Sequence, residues 1–504
     1  MPAPLTLSEA LRGADVLRRI GENVAVSGVE YDSRRVVPGS LFVAMHGETT
    51  DGNRYIEQAV ARGAVAVVTD SAAAFDATAD GPLEVALAEV PHGRRALATI
   101  AANVFAHPER KIRFSGVTGT NGKTTTAYLL EQLLRAAGRS TALVGTIEYR
   151  IADEVRPAPH TTPESRDLFA LLAEGVDRGV TEAVMEVSSH ALEQGRVWGI
   201  PYDVAIFTNL TQDHLDFHGT MEAYFAAKRK LFDGSQAPPP RVAVLNAEDD
   251  TQAALAETAQ SVGSAIWSYG TARGDFHARD IAMRPNGMSF ILVSPQGQVP
   301  INVALTGRVN VLNVLAASAA ALARGIPIDA IAETAPKLHA VPGRFEAVDA
   351  GQPFTVVVDY AHTDDALRNV LALARDLVSA NRGRVLTVFG CGGDRDRTKR
   401  PRMGRAAAEA SEIVVVTSDN PRSEEPRAII DEILPGTAEM PATVEVEPDR
   451  SKAIALAMGK ARAGDIVVIA GKGHEKTQTI GKQVLPFDDV AVARRALAWL
   501  KGKS

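Results

Sequence analysis

Residues 112–125 read IRFSGVTGTNGKTT, and this stretch decides the fold. A short apolar run ends in Gly119-Thr120-Asn121-Gly122-Lys123-Thr124-Thr125, and the helical sequence AYLLEQLLRAAG follows. Backbone N–H groups of such a loop and of the helix terminus cradle phosphates, Lys123 reaches the terminal phosphates, and Thr124 is placed to ligate Mg²⁺. These seven residues therefore predict an ATP site. The general phosphate-loop template puts its first glycine at 117, where this chain has Val117. A ligand-free Gly-rich turn is the competing reading, and the Lys-Thr placement between strand and helix argues against it.

On both sides of this loop, short apolar runs alternate with Ala- and Leu-rich helical stretches. The runs are IRFSGVTG, EAVMEVSS, DVAIFTNL and RVAVLNAED, then FTVVVDYA, RVLTVFGCGG, EIVVVTSDN and DIVVIAGKG. Such alternation predicts an α/β fold with parallel sheets covered on both faces. Pro108 after a helical run and PKLHAVPGRFEAV around Pro342 and Gly343 mark boundaries, dividing the chain into 1–108, 109–342 and 343–504. A length of 504 residues fits roughly three domains.

Composition narrows the class of protein. The hydrophobic fraction of 45% and charged fraction of 23% are those of a core-forming chain, and a net charge of −7 argues against nonspecific nucleic-acid binding. Cys391 is the only cysteine, so no intramolecular disulfide or four-thiolate metal site is available. The amino terminus breaks its apolar residues with Glu9, Arg12, Asp15 and Arg18 and has no secretory core, and residues 309–324 are too short and too interrupted to span a membrane. A cytoplasmic protein without membrane attachment is expected.

Ligands of open α/β sheets gather beyond the carboxyl ends of the strands. Polar residues crowd those positions here: TGTNGKTT, SSH and TNLTQDHLDFH in the middle, DYAHT, GGDRDRTKR, SDNPR and GKGHE at the end. Two facing ligand sites are expected. Glu186 and His214 both follow apolar runs and are candidates for a second divalent-ion position, but DHLDFH lacks zinc spacing and Mg²⁺ prefers oxygen. The residues alone leave that pair open.

TGTNGKTT, EVSSHAL, NLTQDHLDFHGTMEAYFAAKRKLF, GRVNVLNVLAA, PGRFE and VVDYAHTDDAL together resemble the Mur ligases of peptidoglycan synthesis, over nearly the whole chain. The resemblance implies three domains: an amino-terminal one gripping a UDP-muramoyl substrate, a central P-loop ATPase and a Rossmann-like carboxyl-terminal one carrying an amino acid. DSRRVVPGSLFVA, HTTPES, SSHALEQGR, GGDRDRTKRP, DNPR and AGKGHE are similar to the members that add the third peptide residue, and DNPR to their meso-diaminopimelate form. Lysine-adding relatives, folylpolyglutamate synthases and a non-catalytic nucleotide-regulated binding protein are the alternatives.

The same resemblance implies roles for particular residues. Glu186 and His214, with Thr124, become Mg²⁺ ligands. Lys228 in YFAAKRKLF, by pattern a solvated helical lysine, matches a lysine that relatives carry as a CO₂-derived carbamate. Asn313, Arg344 and Asp359 match positions around ATP. Tyr31, Ser33, Glu48, Thr49, Thr50, Thr161, Thr162, Ser188, Gln194 and Arg196 match contacts to the UDP-linked substrate. Arg395, Asp419, Asn420, Arg422, Gly471 and Glu475 match the diaminopimelate set. A monomer is expected.

Overall fold

The computed structural model describes residues 4–47, 50–82, 84–284, 287–379 and 382–501, so Glu48 and Thr49 lie outside the described residues. Arg113–Thr118 is a strand and Lys123–Ala136 a helix. Every residue of the strand after Arg113 is buried, because Glu182–Glu186 and Tyr202–Phe207 pair with it in parallel on its two sides. A strand covered on both faces needs the near-continuous run of apolar and small side chains that FSGVT provides.

Among the described residues the central sheet has eleven strands. Its parallel centre runs, in spatial order, Thr141–Val144, Glu182–Glu186, Arg113–Thr118, Tyr202–Phe207, Val242–Asn246 and Ala265–Gly270. Antiparallel ribbons extend both edges, Glu148–Ile151 with Glu154–Pro157 on one and Phe276–Arg284, Gly287–Ser294 and Gly297–Val303 on the other. One face is covered by Lys123–Ala136 and Arg308–Ala323. The second of these helices is buried nearly all round, its alanines allowing close approach, so residues 309–324 are a core helix. Among the described residues no helix is long and apolar enough to cross a membrane.

An amino-terminal sheet has the order Arg18–Ile20, Ala86–Glu89, Ala64–Thr69, Ser40–Ala44, Gly28–Glu30, with only its first strand antiparallel. Its helix Gly93–Val104 shares one apolar core with Ser165–Asp177 beneath the central sheet. The carboxyl-terminal sheet runs Glu346–Ala347, Thr355–Asp359, Ile466–Ala470, Val385–Phe389, Ile413–Val416, Thr443–Val446, parallel apart from the first strand. Helices Asp364–Ser379, Lys399–Ala410 and Pro426–Ile433 pack on one face, Arg450–Lys460 and Asp489–Lys501 on the other.

The strand ends are pinned by polar contacts. Arg450, fully buried, bonds Asp489 at 2.7 and 2.8 Å and the carbonyl of Ala470 at 3.0 Å, fixing the end of Ile466–Ala470. Asp449 caps the same helix by accepting from the N–H groups of Ser451 and Lys452 at 2.9 and 3.2 Å. Asp449→Ala is expected to cost about 1 kcal/mol, seen as a lower urea midpoint for the carboxyl-terminal sheet. An unchanged midpoint would mean the cap contributes nothing.

Candidate active site

The phosphate loop is built around two glycines. Gly119 has φ +143°, and a Cβ there would lie 1.9 Å from Thr208 Oγ1; Gly122 has φ +84°, and its Cβ would lie 2.6 Å from Asn313 Oδ1. Any side chain at these positions meets both a strained backbone and an occupied neighbour. The loop is tied to the next strand end by Thr120 N–H to the Asn209 carbonyl at 2.8 Å and Asn121 N–H to Asn209 Oδ1 at 2.9 Å. Lys123 Nζ donates to the carbonyls of Thr120 and Gly119 at 2.7 and 3.0 Å. Burial pushes the Lys123 pKa down, against the pull of Glu186 and Asp213. Gly119→Ala is expected to weaken nucleotide binding, by calorimetry, by roughly 1–3 kcal/mol of backbone strain. Wild-type affinity would show that the loop relaxes freely.

At the end of Glu182–Glu186, the fully buried Glu186 faces that loop. Its Oε2 accepts from the hydroxyls of Thr124 at 2.9 Å and Thr146 at 3.0 Å, and its Oε1 from the Thr146 N–H at 2.8 Å. Gly145 leaves room for it, since a Cβ there would lie 2.4 Å from Oε1. His214 sits in the left-handed region at φ +52°. Its ring stands edge-on to His190 and Tyr224, with centroids 4.7 and 6.1 Å away. Burial first, then His190, Lys123 and Lys228, lower its pKa against the pull of Asp213. The imidazole is therefore neutral at pH 7.

Lys228 is 1% exposed, which corrects its reading from pattern as a solvated lysine. Helix Met221–Arg229 turns Tyr224, Ala227 and Lys228 inward together, the i, i+3, i+4 face. Its Nζ lies 4.3 Å from the centre of the Tyr224 ring and donates to the Gly119 carbonyl at 2.7 Å. Burial pushes its pKa well down, helped by Lys123. Lys230 points elsewhere, to Glu193 at 2.7 Å.

Thr124, Glu186, His214 and Lys228 thus line one cleft with Asn313, Arg344, Asp359, Thr161 and Ser188. Arg344 lies 4.7 Å over the ring of Tyr360 and donates to Thr124 Oγ1 at 3.4 Å. Asp359 accepts from the N–H groups of Phe345 at 2.7 Å and Ala361 at 2.8 Å. Burial raises its pKa, while Arg344 and these two bonds oppose the rise. Asp365 joins the two larger sheets across the cleft, accepting from Asn121 Nδ2 at 2.9 Å and Thr211 Oγ1 at 3.2 Å.

Residues 25–105 match the Mur ligase family, catalytic domain, residues 117–321 the Mur ligase middle domain, and residues 343–473 the Mur ligase, glutamate ligase domain. A UDP-N-acetylmuramoyl-L-alanyl-D-glutamate–2,6-diaminopimelate ligase of Solibacter usitatus is 49% identical over 98% of each chain. The chain belongs to the Mur ligase family. It is an ATP-dependent, amide-forming ligase. A ligase of the same description from Geobacillus thermodenitrificans is 47% identical over 98% of each chain. A solved structure titled as that ligase is 33% identical, covers 99% of both chains and superposes with a TM-score of 0.69. A folylpolyglutamate synthase from Mycobacterium tuberculosis, 18% identical with a TM-score of 0.61 over 81% of this chain and 96% of its own, shares the fold.

Other residues expected from this Mur ligase's sequence lie outside the cleft. Tyr31 donates to Asp167 at 2.9 Å and Ser33 to Gln58 at 2.8 Å, both in the amino-terminal sheet's loops, and Thr50 is exposed. Gln194 borders a second hollow with His46, Arg94 and Trp198. Arg196 and Thr162 connect the two regions: Arg196 bonds the Thr162 carbonyl at 3.1 Å, and the Thr162 hydroxyl donates to the Glu186 carbonyl at 2.8 Å.

Asp419, Asn420, Gly471 and Glu475 form a separate ionic cluster at the ends of two carboxyl-terminal strands. Gly471 has φ +118°, and a Cβ there would lie 3.0 Å from Asp419 Oδ2. Arg422, at φ +51°, donates from Nη1 to the Gly393 carbonyl at 2.7 Å, and Arg395 is exposed beside it. The cluster adjoins the cleft through Tyr360, whose ring lies 4.8 Å from that of His474. Sequence reasoning missed Thr146, Asp213, Tyr224, Asp365 and Lys472. All but Thr146 sit inside motifs quoted for other residues; Thr146 lies in VGTIEY and carries no signal.

Proposed function

We propose that this Mur ligase uses ATP to join meso-diaminopimelate to the D-Glu side-chain carboxylate of UDP-N-acetylmuramoyl-L-Ala-D-Glu. One observation carries the reading: a phosphate-loop cleft with a buried acid adjoins, through Tyr360 and His474, a side-chain cluster holding both acids and arginines. An amino acid with a zwitterionic distal end needs both signs of charge, a guanidinium for its carboxylate and an acid for its ammonium. The names of the relatives at 47% and 49% identity support the same choice.

A carboxylate is a poor electrophile, so it must be activated. Its oxygen takes the γ-phosphoryl group and ADP leaves; the neutral amine nitrogen attacks the acyl carbon, phosphate departs with the electron pair of the C–O bond, and the nitrogen releases one proton to that phosphate while keeping the other as the amide N–H. Lys123 and the loop N–H groups offset charge on the transferring group, and Arg344 stands beside Thr124. Asn313 and Asp359 line the same cleft as Arg344 and serve ATP with it, at the adenine and ribose or the phosphates. The oxygens of Thr124 and Glu186 suit Mg²⁺. Thr124, Glu186, neutral His214 and carbamylated Lys228 would hold it, and the ion would neutralise phosphate charge.

Segments 1–108, 109–342 and 343–504 serve the UDP-linked substrate, ATP and diaminopimelate in turn, in a cytoplasmic monomer. The test is purified protein with ATP, Mg²⁺ and the UDP-muramoyl-dipeptide, offered diaminopimelate or lysine, with the product weighed by mass spectrometry. Tripeptide with diaminopimelate is expected. Product with lysine alone would reassign the amino acid, and none with either would defeat the reading.

A further inference from the structure

Lys472 lies between Gly471 and Gly473 after strand Ile466–Ala470, and its side chain is fully buried. A buried ammonium is costly unless acceptors surround it. Asn420 Oδ1 and Glu475 Oε2 each lie 3.0 Å from Nζ, and Asp419 Oδ1 lies 3.6 Å away. These contacts also orient their partners. Asn420 Oδ1 accepts a second bond from the Thr479 N–H at 2.9 Å, which turns its Nδ2 onto Glu475 Oε2 at 2.8 Å. Both donors therefore reach the same oxygen of Glu475, whose side chain remains 30% exposed. Asp419 and Glu475 bring two negative charges to the one positive charge of Lys472, and the neighbouring Arg450 is already paired with Asp489, so one ammonium suits the acidic pair while Arg395 and Arg422 remain for a carboxylate.

We propose that Lys472 is the positioning residue for the amine end of the amino-acid pocket. It locks Asn420 and Glu475 with one carboxylate oxygen turned to the ligand, and it sets the acidic pair to receive one ammonium. This rests on the diaminopimelate reading above and specifies which part of the pocket reads the amine.

The experiment varies each of the three substrates in turn for wild type, Lys472→Met, Lys472→Arg, Glu475→Gln and the Lys472→Met/Glu475→Gln double variant. Lys472→Met is expected to raise the diaminopimelate KM about tenfold or more, the scale of a lost bond to a charged group. The KM values for ATP and the UDP-linked substrate should stay within about twofold, since neither touches this cluster. Because Lys472 acts partly through Glu475 and partly through Asn420 and Asp419, the double variant should lose less than the sum of the two single losses. Lys472→Arg keeps the charge but not the single-nitrogen geometry, so it should show the same selective rise, and it carries the test if Lys472→Met does not fold. An unchanged diaminopimelate KM in either folded variant, an equal rise for all three substrates, or full additivity in the double variant overturns the proposal. Wild type that ligates neither amino acid removes the parent reading; wild type that ligates diaminopimelate no better than folded Lys472→Met removes only this one.

Discussion

Lys228→Ala is expected to lower ligation by about 10²–10³-fold, with part of the activity returning when a small carboxylic acid is added. The argument starts from burial. An ammonium at 1% exposure, close enough to Lys123 to be destabilised by it, sits where phosphate charge must be neutralised. Both the lost hydration and the neighbouring cation favour the neutral amine. That amine nitrogen can add to the carbon of CO₂ and release a proton, replacing a cationic end with an anionic oxygen ligand for Mg²⁺. Truncation removes the ligand and leaves a space beside the Gly119 carbonyl, which a short carboxylate can refill. Tripeptide formation with and without acetate or propionate measures this. Full activity in the variant would remove the carbamate assignment, and loss with no recovery would give Lys228 a packing role under Tyr224.

The strands that mattered most were legible because they are buried on both faces. Arg113–Thr118, Glu182–Glu186, Val385–Phe389 and Ile466–Ala470 are short unbroken apolar runs, and each is central in its sheet. The ribbon Phe276–Arg284, Gly287–Ser294 and Gly297–Val303 was not, because a sheet edge mixes exposed charge with apolar residues and looks like loop. In the site, Lys123 announced itself by its spacing between glycines. Lys228 did not: its pattern is that of a surface lysine, and only the turn of its helix under Tyr224 buries it. Asp365 and Lys472 were hidden for another reason. Each acts across distance in sequence, Asp365 on Asn121 and Lys472 on Asn420, and local pattern carries no trace of such pairings. The joining of the ionic cluster to the cleft through Tyr360 and His474 likewise depends on how two separate loops meet.

Arg422→Ala should separate the two halves of this chemistry. The residue is held in a left-handed backbone by the hairpin Thr477–Ile480 and Gln483–Pro486, its N–H bonded to the Thr479 carbonyl at 3.1 Å and its carbonyl receiving the Gly481 N–H at 2.6 Å. Nη1 is anchored on the Gly393 carbonyl, which fixes the guanidinium plane in advance. A preset fork suits a carboxylate, and truncating one partner of such a pair costs roughly 2–5 kcal/mol, about thirtyfold to a few thousandfold in affinity. The loss should fall on the diaminopimelate KM and leave the ATP KM within about twofold, because the phosphate loop belongs to a different sheet. Lysine sharpens the test. It has no distal carboxylate, so in wild type it leaves Arg422 facing an empty position, and in the variant it has nothing further to lose. The ratio of kcat/KM for diaminopimelate over lysine should therefore fall by about the same factor as diaminopimelate use itself. Equal losses for both amino acids would mean that Arg422 shapes the loop and does not read the carboxylate.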